Sequence, residues 1–318
     1  MRGMRFGAVV MLIFWEVLFC SVAISQEVDS VVRPSSLREG KRIFAKEEKH
    51  FAERVLEDLS ESEGGSNEHV FLAVHERNFV LPLSYNTTPN ESVSSVDNPD
   101  RLEIKFQFSA KVRLPEEAVS LVSEQLNRHI GIWFAYTNTS FWQAYNGDES
   151  SPFRETNHSP ELFIDSLRKF EFFGVTNSLL RVGAVHQSNG KGGELSRSWN
   201  RVYAVAELAK DGLKFGIKPW YRIPETHDEG GSERDDNPDI HKYVGYGEMY
   251  LSYSYRCQEF STMFRNNLRS ENRSGIRVEY SPYSCSSMSP YFEYFYGYGE
   301  SLIDHDQTMN RISLGFSF

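Results

Sequence analysis

Residues 102–113 read LEIKFQFSAKVR, and apolar and polar side chains alternate through the whole stretch. The apolar phase is Leu102, Ile104, Phe106, Phe108, Ala110 and Val112, and the polar phase is Glu103, Lys105, Gln107, Ser109, Lys111 and Arg113. Because successive side chains of a β-strand point to opposite faces, this strand has one apolar and one polar face. Such a strand is typical of a wall between an apolar and a polar medium.

The same alternation recurs in residues 213–222, 276–281 and 311–318. After the first 25 residues, no segment has the roughly 18 consecutive apolar residues of a spanning helix. Open sheet edges would leave backbone groups without hydrogen-bond partners in lipid, so spanning strands must close into a barrel. The sequence therefore predicts an all-β fold, an antiparallel transmembrane β-barrel of the outer-membrane type.

The alternating segments number twelve, an even count as expected for a closed single-chain bacterial barrel. They are predicted at 78–86, 102–113, 130–142, 160–171, 178–187, 199–208, 212–222, 242–255, 260–269, 275–283, 290–303 and 310–318. Long polar connections at 87–101, 143–159, 187–199 and 223–241 are predicted outer loops. The mostly shorter connections between them are predicted periplasmic turns.

The first 75 residues have a different character. Residues 1–25 resemble a secretory signal peptide, with basic residues, an apolar run and a small-residue cleavage site. Residues 26–75 are predicted to be a polar, periplasmic and partly disordered segment, and residues 76–318 the barrel. The net charge of −10 and the lack of a basic patch argue against a nucleic-acid partner. The predicted location is the cell outer membrane.

Three polar residues continue the apolar phase of two neighbouring predicted strands. His186 and Ser188 end one strand, and Asn200 begins the next. They are therefore predicted on the lipid face at the outer rim, where a hairpin brings Asn200 beside His186. Placing polar side chains in contact with lipid costs free energy, so polar residues at these positions indicate a functional site. Serine, histidine and asparagine can serve as nucleophile, general base and orienting group in acyl transfer. A His-x-Ser pair alone also fits ordinary polar residues at the membrane interface.

Six blocks of sequence carry a resemblance to a known family. They are VHQSNG, SRSWNRVY, KPWYR, DDNPDIHKYVGY, ESSPFRETN and GYGESLID. The region from about residue 76 to residue 318 resembles the outer-membrane phospholipase A family of Gram-negative bacteria. The resemblance implies a twelve-stranded, calcium-dependent barrel that is active as a homodimer. It also implies hydrolysis of acyl esters at both positions of phospholipids, and of lysophospholipids.

The resemblance assigns a role to each residue of the constellation. Ser188 would be the nucleophile, His186 the general base and Asn200 the group that orients the imidazole. The backbone N–H of Gly190 would donate to the oxyanion.

The resemblance also implies a calcium site in the active dimer. Its ligands would be the carbonyl of Lys191, the hydroxyl of Ser196 and the carbonyl of Ser150 from the second subunit, with waters completing the oxygen shell. Asp236 matches one of two aspartates that hold calcium in the resting monomer, and Gly193 stands where the other would be. Glycine has no side-chain oxygen, so this position cannot supply the second carboxylate of the monomer site.

Two further positions depart from the family pattern. Lys191 replaces an arginine, which a backbone ligand should tolerate. Asn138 replaces a glutamine of the dimer contact and is one methylene shorter, which should weaken that contact.

The sequence also bears on two other classes of protein. A non-enzymatic outer-membrane barrel, either a narrow pore or a structural protein without activity, would suit the charged residues predicted in the lumen. A soluble esterase is opposed by the lack of a G-x-S-x-G motif and of alternating strands and helices.

Cys257 and Cys285 fall in two successive predicted periplasmic turns. At two strand spacings, roughly 10 Å, they are expected to be free thiols unless the turns lean together.

Overall fold

The computed structural model describes residues 72–90, 96–114, 130–166, 171–172, 174–224 and 235–318. The predicted signal peptide and nearly all of the predicted periplasmic segment lie outside this range. Within the part of the chain that the structure describes, no helix is long and apolar enough to cross a bilayer.

The described residues form fourteen strands, one short helix and one 3₁₀ turn. The strands are β1 (Leu72–Val74), β2 (Phe79–Asn86), β3 (Leu102–Arg113), β4 (Ile130–Trp142), β5 (Phe153–Ser166), β6 (Glu171–Phe172), β7 (Val175–Ser188), β8 (Ser198–Lys210), β9 (Leu213–Ile223), β10 (Gly247–Tyr255), β11 (Gln258–Asn266), β12 (Ser274–Ser281), β13 (Ser289–Gly297) and β14 (Met309–Ser317). The helix is α1 (His241–Val244), and the 3₁₀ turn is Gly193–Leu195.

Twelve of these strands close into an antiparallel barrel. The short strands β1 and β6 are additions that pair with β3 and β7, which leaves twelve of the fourteen in the wall. From β3 the order runs through β2, β14 and down to β7, then β5 and β4, and β4 pairs again with β3. The predicted fold class and strand number are confirmed. Strand β1 lies within the range assigned to the periplasmic segment and continues the wall beside β3.

The alternation in the sequence sets the two faces of the wall. On β3, Glu103 and Lys105 are each 1% exposed, whereas Phe108 is 47% exposed. The polar phase therefore lines the interior and the apolar phase covers the outside. Exposed apolar surface of this extent would cause a soluble protein to aggregate, but it suits a barrel surrounded by lipid.

Charged side chains fill the interior near the outer end of the barrel. Arg311 contacts Glu103 at 2.7 Å and Glu300 at 2.8 Å, and Arg154 contacts Glu103 at 3.0 Å and Asp304 at 2.7 Å. All five groups are buried. Since a buried charge is tolerated only when it is paired, these contacts form one interdependent network.

The predicted strand at 160–171 differs most from the structure, because β5 runs from Phe153 to Ser166. Its first half is polar on both faces. Glu155 and Asn157 face inward and bond to each other at 2.7 Å, while Thr156 and His158 lie on the opposite, outward phase. Without an apolar phase, this segment resembles a loop in sequence.

Glycines account for a second difference in strand length. The strand predicted at 290–303 ends at Gly297. Gly297 and Gly299 have φ angles of +116° and +74°, which an extended strand of L-residues does not adopt.

Cys257 and Cys285 form a disulfide with a Cα–Cα distance of 5.1 Å. The expectation of free thiols was therefore wrong. The cysteines flank β11 and β12, which pair directly, and Ser284 N–H donates to the Cys257 carbonyl at 2.8 Å as the ladder continues. Only one inter-strand spacing separates the two residues, well within the reach of a disulfide.

Candidate functional site

The hairpin of β7 and β8 brings His186 and Asn200 together. The two residues are directly paired, and His186 Nδ1 lies 2.8 Å from Asn200 Oδ1. Ser188 is two positions beyond His186 and therefore on the same face of β7. Val182, lower on that face, is 63% exposed, so this is the lipid side of the wall.

The hydrogen bond to Asn200 determines the tautomer of His186. The amide oxygen Oδ1 can only accept, so the imidazole must donate from Nδ1. In the neutral ring this leaves Nε2 unprotonated and able to accept a proton. His186 thus has the proton arrangement that a general base needs.

The loop after Ser188 is organised by the buried amide of Asn189. Its Oδ1 accepts from the backbone N–H of Arg197 at 3.0 Å and of Lys191 at 3.3 Å, and its Nδ2 donates to the Leu195 carbonyl at 2.9 Å. Gly190 follows with φ +64°, a conformation that a side chain would strain. Asn189 was not among the residues predicted for the site.

The residues that the family resemblance assigns to calcium lie on several segments of the chain. Ser196 Oγ donates to Asp236 Oδ2 at 2.6 Å, which joins the loop after Ser188 to the segment before α1. The Lys191 ammonium donates to the Arg154 carbonyl at 2.6 Å and lies 3.7 Å from Glu155 Oε2. Ser150 is exposed in the β4–β5 loop at φ +61°.

Burial lowers the pKa of Lys191, and the carboxylate of Glu155 opposes this effect. Among the described residues, no group of three or more His, Cys, Asp or Glu side chains could hold a metal ion. A calcium site here would therefore rely on hydroxyl and carbonyl oxygens more than on carboxylates.

A family model for phospholipase A1 matches residues 56–318 of the chain. The chain belongs to the phospholipase A1 family. It is 36% identical over 255 residues to a candidate phospholipase A1 of Neisseria meningitidis serogroup B, which covers 78% of this chain and 65% of that protein. The match thus spans just under two thirds of that relative. The chain is also 32% identical over 244 residues to phospholipase A1 of Escherichia coli K12, and the match covers 76% of this chain and 79% of that protein.

Two solved structures share the architecture of this phospholipase A1 family member. The outer membrane phospholipase A of E. coli superposes with a TM-score of 0.69 at 31% identity, covering 78% of this chain and 98% of that one. The calcium-bound dimer of the Salmonella typhi outer membrane phospholipase gives 0.70 at 30% identity, covering 80% and 94%. The chain is an integral outer-membrane protein.

The structure of this family member also brings a second histidine to Ser188. His158 on β5 is directly paired with Ser188, and its Nδ1 lies 2.6 Å from the Tyr136 hydroxyl. This histidine was not predicted at the site, because the sequence of residues 143–159 predicted a loop. The available signal was the continuation of β5 through FRETNH, where the spacing from Leu162 puts His158 in the outward phase.

Proposed function

We propose that the protein hydrolyses the acyl ester bonds of phospholipids and lysophospholipids, in the manner of phospholipases A1 and A2. The observation that carries the proposal is the hydrogen bond from His186 to Asn200 on the lipid face, with Ser188 beside it on the same strand. A site that opens sideways into the bilayer suits a substrate that is insoluble in water.

The proposed reaction follows the serine hydrolase scheme. Ser188 Oγ attacks the acyl carbonyl carbon while His186 Nε2 takes the hydroxyl proton. The ester C–O bond then breaks, and His186 returns the proton to the departing alcohol. In the second half, His186 activates a water that releases the fatty acid and restores Ser188. Asn200 holds the ring in the required tautomer throughout.

Gly190 is the proposed oxyanion donor. Its backbone N–H belongs to the loop that Asn189 fixes, immediately beyond the nucleophile. A donor held in place before the reaction stabilises developing charge without reorganisation, which is worth about 10²-fold to 10³-fold in rate for one hydrogen bond.

Calcium is the proposed cofactor. In the dimer site Ser196 would contribute its hydroxyl and Lys191 its carbonyl, while the Lys191 ammonium bonds to the Arg154 carbonyl. Asp236, which accepts from Ser196 Oγ at 2.6 Å, would serve the separate site of the resting monomer. This donor set fits a hard cation that prefers oxygen ligands. When bound, the ion would supply positive charge near the oxyanion. A relative of the chain was solved as a calcium-bound dimer, which supports this proposal.

We further propose that the active form is a homodimer. The carbonyl of Ser150 would complete the calcium site of the other subunit, so that the site is whole only in the pair. Asn138 lies on β4, two residues from the exposed Tyr136 on the same outward face, in a position to contact a second barrel.

The alternative of a pore is not favoured by the interior. The lumen contains a cavity of about 230 Å³ lined by charged and polar side chains, including Lys105, Arg201 and Glu293. A polar cavity of this size can hold waters that bond to its charged lining.

The test is calcium-dependent release of fatty acid by purified protein in detergent micelles. Ser188→Ala should abolish release because it removes the nucleophile, while the barrel still folds and shows its normal mobility shift on heating. Ser254→Ala, on β10 three strands away from β7, is the matched serine control and should keep wild-type activity.

Chelation with EDTA should abolish fatty-acid release by the wild type, and added calcium should restore it. Full hydrolysis by Ser188→Ala would refute the nucleophile, and full hydrolysis in EDTA would refute the metal. Ion conductance in planar bilayers without ester cleavage would favour the pore instead.

A further inference from the structure

Two histidines flank Ser188 on the lipid face. His186 lies along the same strand, and His158 lies across on β5 in direct pairing with Ser188. His158 also borders the proposed oxyanion donor. A Cβ placed on Gly190 would lie 3.7 Å from both Cδ2 and Nε2 of His158, so this edge of the ring faces the Gly190 backbone. The imidazole therefore borders both the nucleophile and the oxyanion donor.

The hydrogen bonds at the other edge of His158 determine where its proton sits. Tyr136 Oη lies 2.6 Å from Nδ1, and Asn138 Nδ2 lies 3.3 Å from the same atom. In this arrangement Asn138 Oδ1 accepts from Ser140 Oγ at 3.1 Å, and the amide nitrogen points to the imidazole. An amide nitrogen only donates, so Nδ1 must accept. The neutral ring then carries its proton on Nε2, at the edge that faces Gly190.

The two histidines thus have opposite tautomers. His186 donates from Nδ1 to Asn200 and leaves Nε2 free to accept a proton. His158 accepts at Nδ1 and presents an N–H at Nε2. His186 can therefore remove the proton of Ser188, and His158 can donate a hydrogen bond.

We propose that His158 Nε2–H is a second donor to the oxyanion that forms on the substrate carbonyl when Ser188 attacks. This inference rests on the proposed function, because it takes Ser188 as the nucleophile. Tyr136 and Asn138 are then positioning residues that hold the donor tautomer. A donor of this kind strengthens its bond as charge develops on the carbonyl oxygen, so it acts on the transition state rather than on substrate binding.

The experiment compares steady-state kinetics of wild type, His158→Phe, His158→Gln and Ser188→Ala in calcium-containing micelles. His158→Phe removes the N–H but keeps a flat ring, and we expect kcat to fall about 10²-fold to 10³-fold with KM nearly unchanged. His158→Gln keeps an N–H donor near the position of Nε2 and should recover a large part of that loss. Each variant is first shown to be folded by its mobility shift on heating.

The outcomes separate this inference from the proposed function. If His158→Phe matches the wild type while Ser188→Ala is inactive, the second donor is refuted and the nucleophile stands. If His158→Phe raises KM and leaves kcat unchanged, the ring binds substrate instead, and the inference also fails. If glutamine and phenylalanine are equally damaging, the N–H has no special role. A wild type no faster than Ser188→Ala would refute the proposed function and this inference together.

Discussion

Two polar clusters occupy opposite faces of the same wall. The lumenal cluster joins Arg311 and Arg154 to the carboxylates of Glu103, Glu300 and Asp304 by ion pairs, with every member buried. The second cluster lies on the lipid face and consists of Tyr136, Asn138, His158, His186, Ser188 and Asn200. Its contacts are hydrogen bonds rather than ion pairs, and its members are half-buried or exposed.

The two clusters differ in their capacity to bind a ligand. In the lumenal cluster each charged group has an oppositely charged partner within 3.1 Å, so the cluster stabilises the barrel and has little capacity for a ligand. On the lipid face each imidazole uses one nitrogen in a described hydrogen bond and keeps the other available. Strand β5 contributes to both clusters, with Arg154 inward and His158 outward. Substitutions on one face should therefore change stability, and those on the other should change turnover.

The largest effect is predicted for Arg311→Met. The substitution removes the cation that both Glu103 and Glu300 contact, which leaves Glu103 with Arg154 and Glu300 with Lys105. Loss of one partner from a buried ion pair costs about 3 to 5 kcal/mol. The free energy of unfolding in urea, followed by tryptophan fluorescence of protein refolded into lipid vesicles, measures the loss. Arg269→Met, on an exposed loop, is the control and should cost less than about 1 kcal/mol.

Because the two clusters lie on opposite faces of the wall, the Arg311→Met molecules that fold should keep their hydrolytic activity. A variant as stable as the wild type would show that the lumenal pairs contribute no net stability. Loss of turnover in fully folded protein would show that the two faces are coupled.

The architecture was predictable because it depends on a repeating physical constraint. Each strand of the wall must present an apolar face to the lipid. The alternation of apolar residues in β3 and β14 can therefore be recognised from the sequence alone. The same alternation placed His186, Ser188 and Asn200 on the outside. Their roles came from the family resemblance, and the hydrogen bond between His186 and Asn200 is what the structure adds.

What escaped prediction depends on contacts between strands. His158 was missed because the first half of β5 is polar on both faces and therefore has no apolar phase to mark it as a strand. The disulfide was mispredicted because the spacing between turns was counted over a hairpin, whereas the pairing of β11 with β12 brings Cys257 next to Cys285. Strand neighbours and register decide both cases, and alternation along one strand does not reveal them.

A smaller effect is predicted for Asn200→Ala on the lipid face. Without Oδ1, His186 loses the partner that fixes its tautomer, and we expect kcat to fall about 10²-fold, within the usual contribution of general acid–base catalysis. The unfolding free energy should change by only about 1 kcal/mol, because a single partly exposed hydrogen bond is lost. Asn272→Ala, on the exposed β11–β12 loop, is the matched control. A large drop in stability with unchanged kcat would reverse the assignment of the two faces.

The smallest effect concerns the pH dependence of the lumenal cluster. Burial alone would raise the pKa of Glu300, which lies in the loop between β13 and β14, but Arg311 and Lys105 lower it to about 2 from an ordinary value of 4.5. A carboxyl whose pKa is depressed by folding stabilises the fold above its unfolded pKa, and this stability is lost as pH falls through the folded pKa. The wild type should therefore lose unfolding free energy between about pH 5 and pH 2.

In Glu300→Gln this loss should be smaller by on the order of 2 kcal/mol, because the variant has no proton to take up at that site. Urea unfolding at a series of pH values, with both proteins refolded in the same vesicles, measures the difference. Parallel curves for the two proteins would mean that Glu300 titrates alike in the folded and unfolded states. The lumenal pairs would then be as weak as surface ion pairs, and burial in the lumen would no longer explain how this cluster differs from the one on the lipid face.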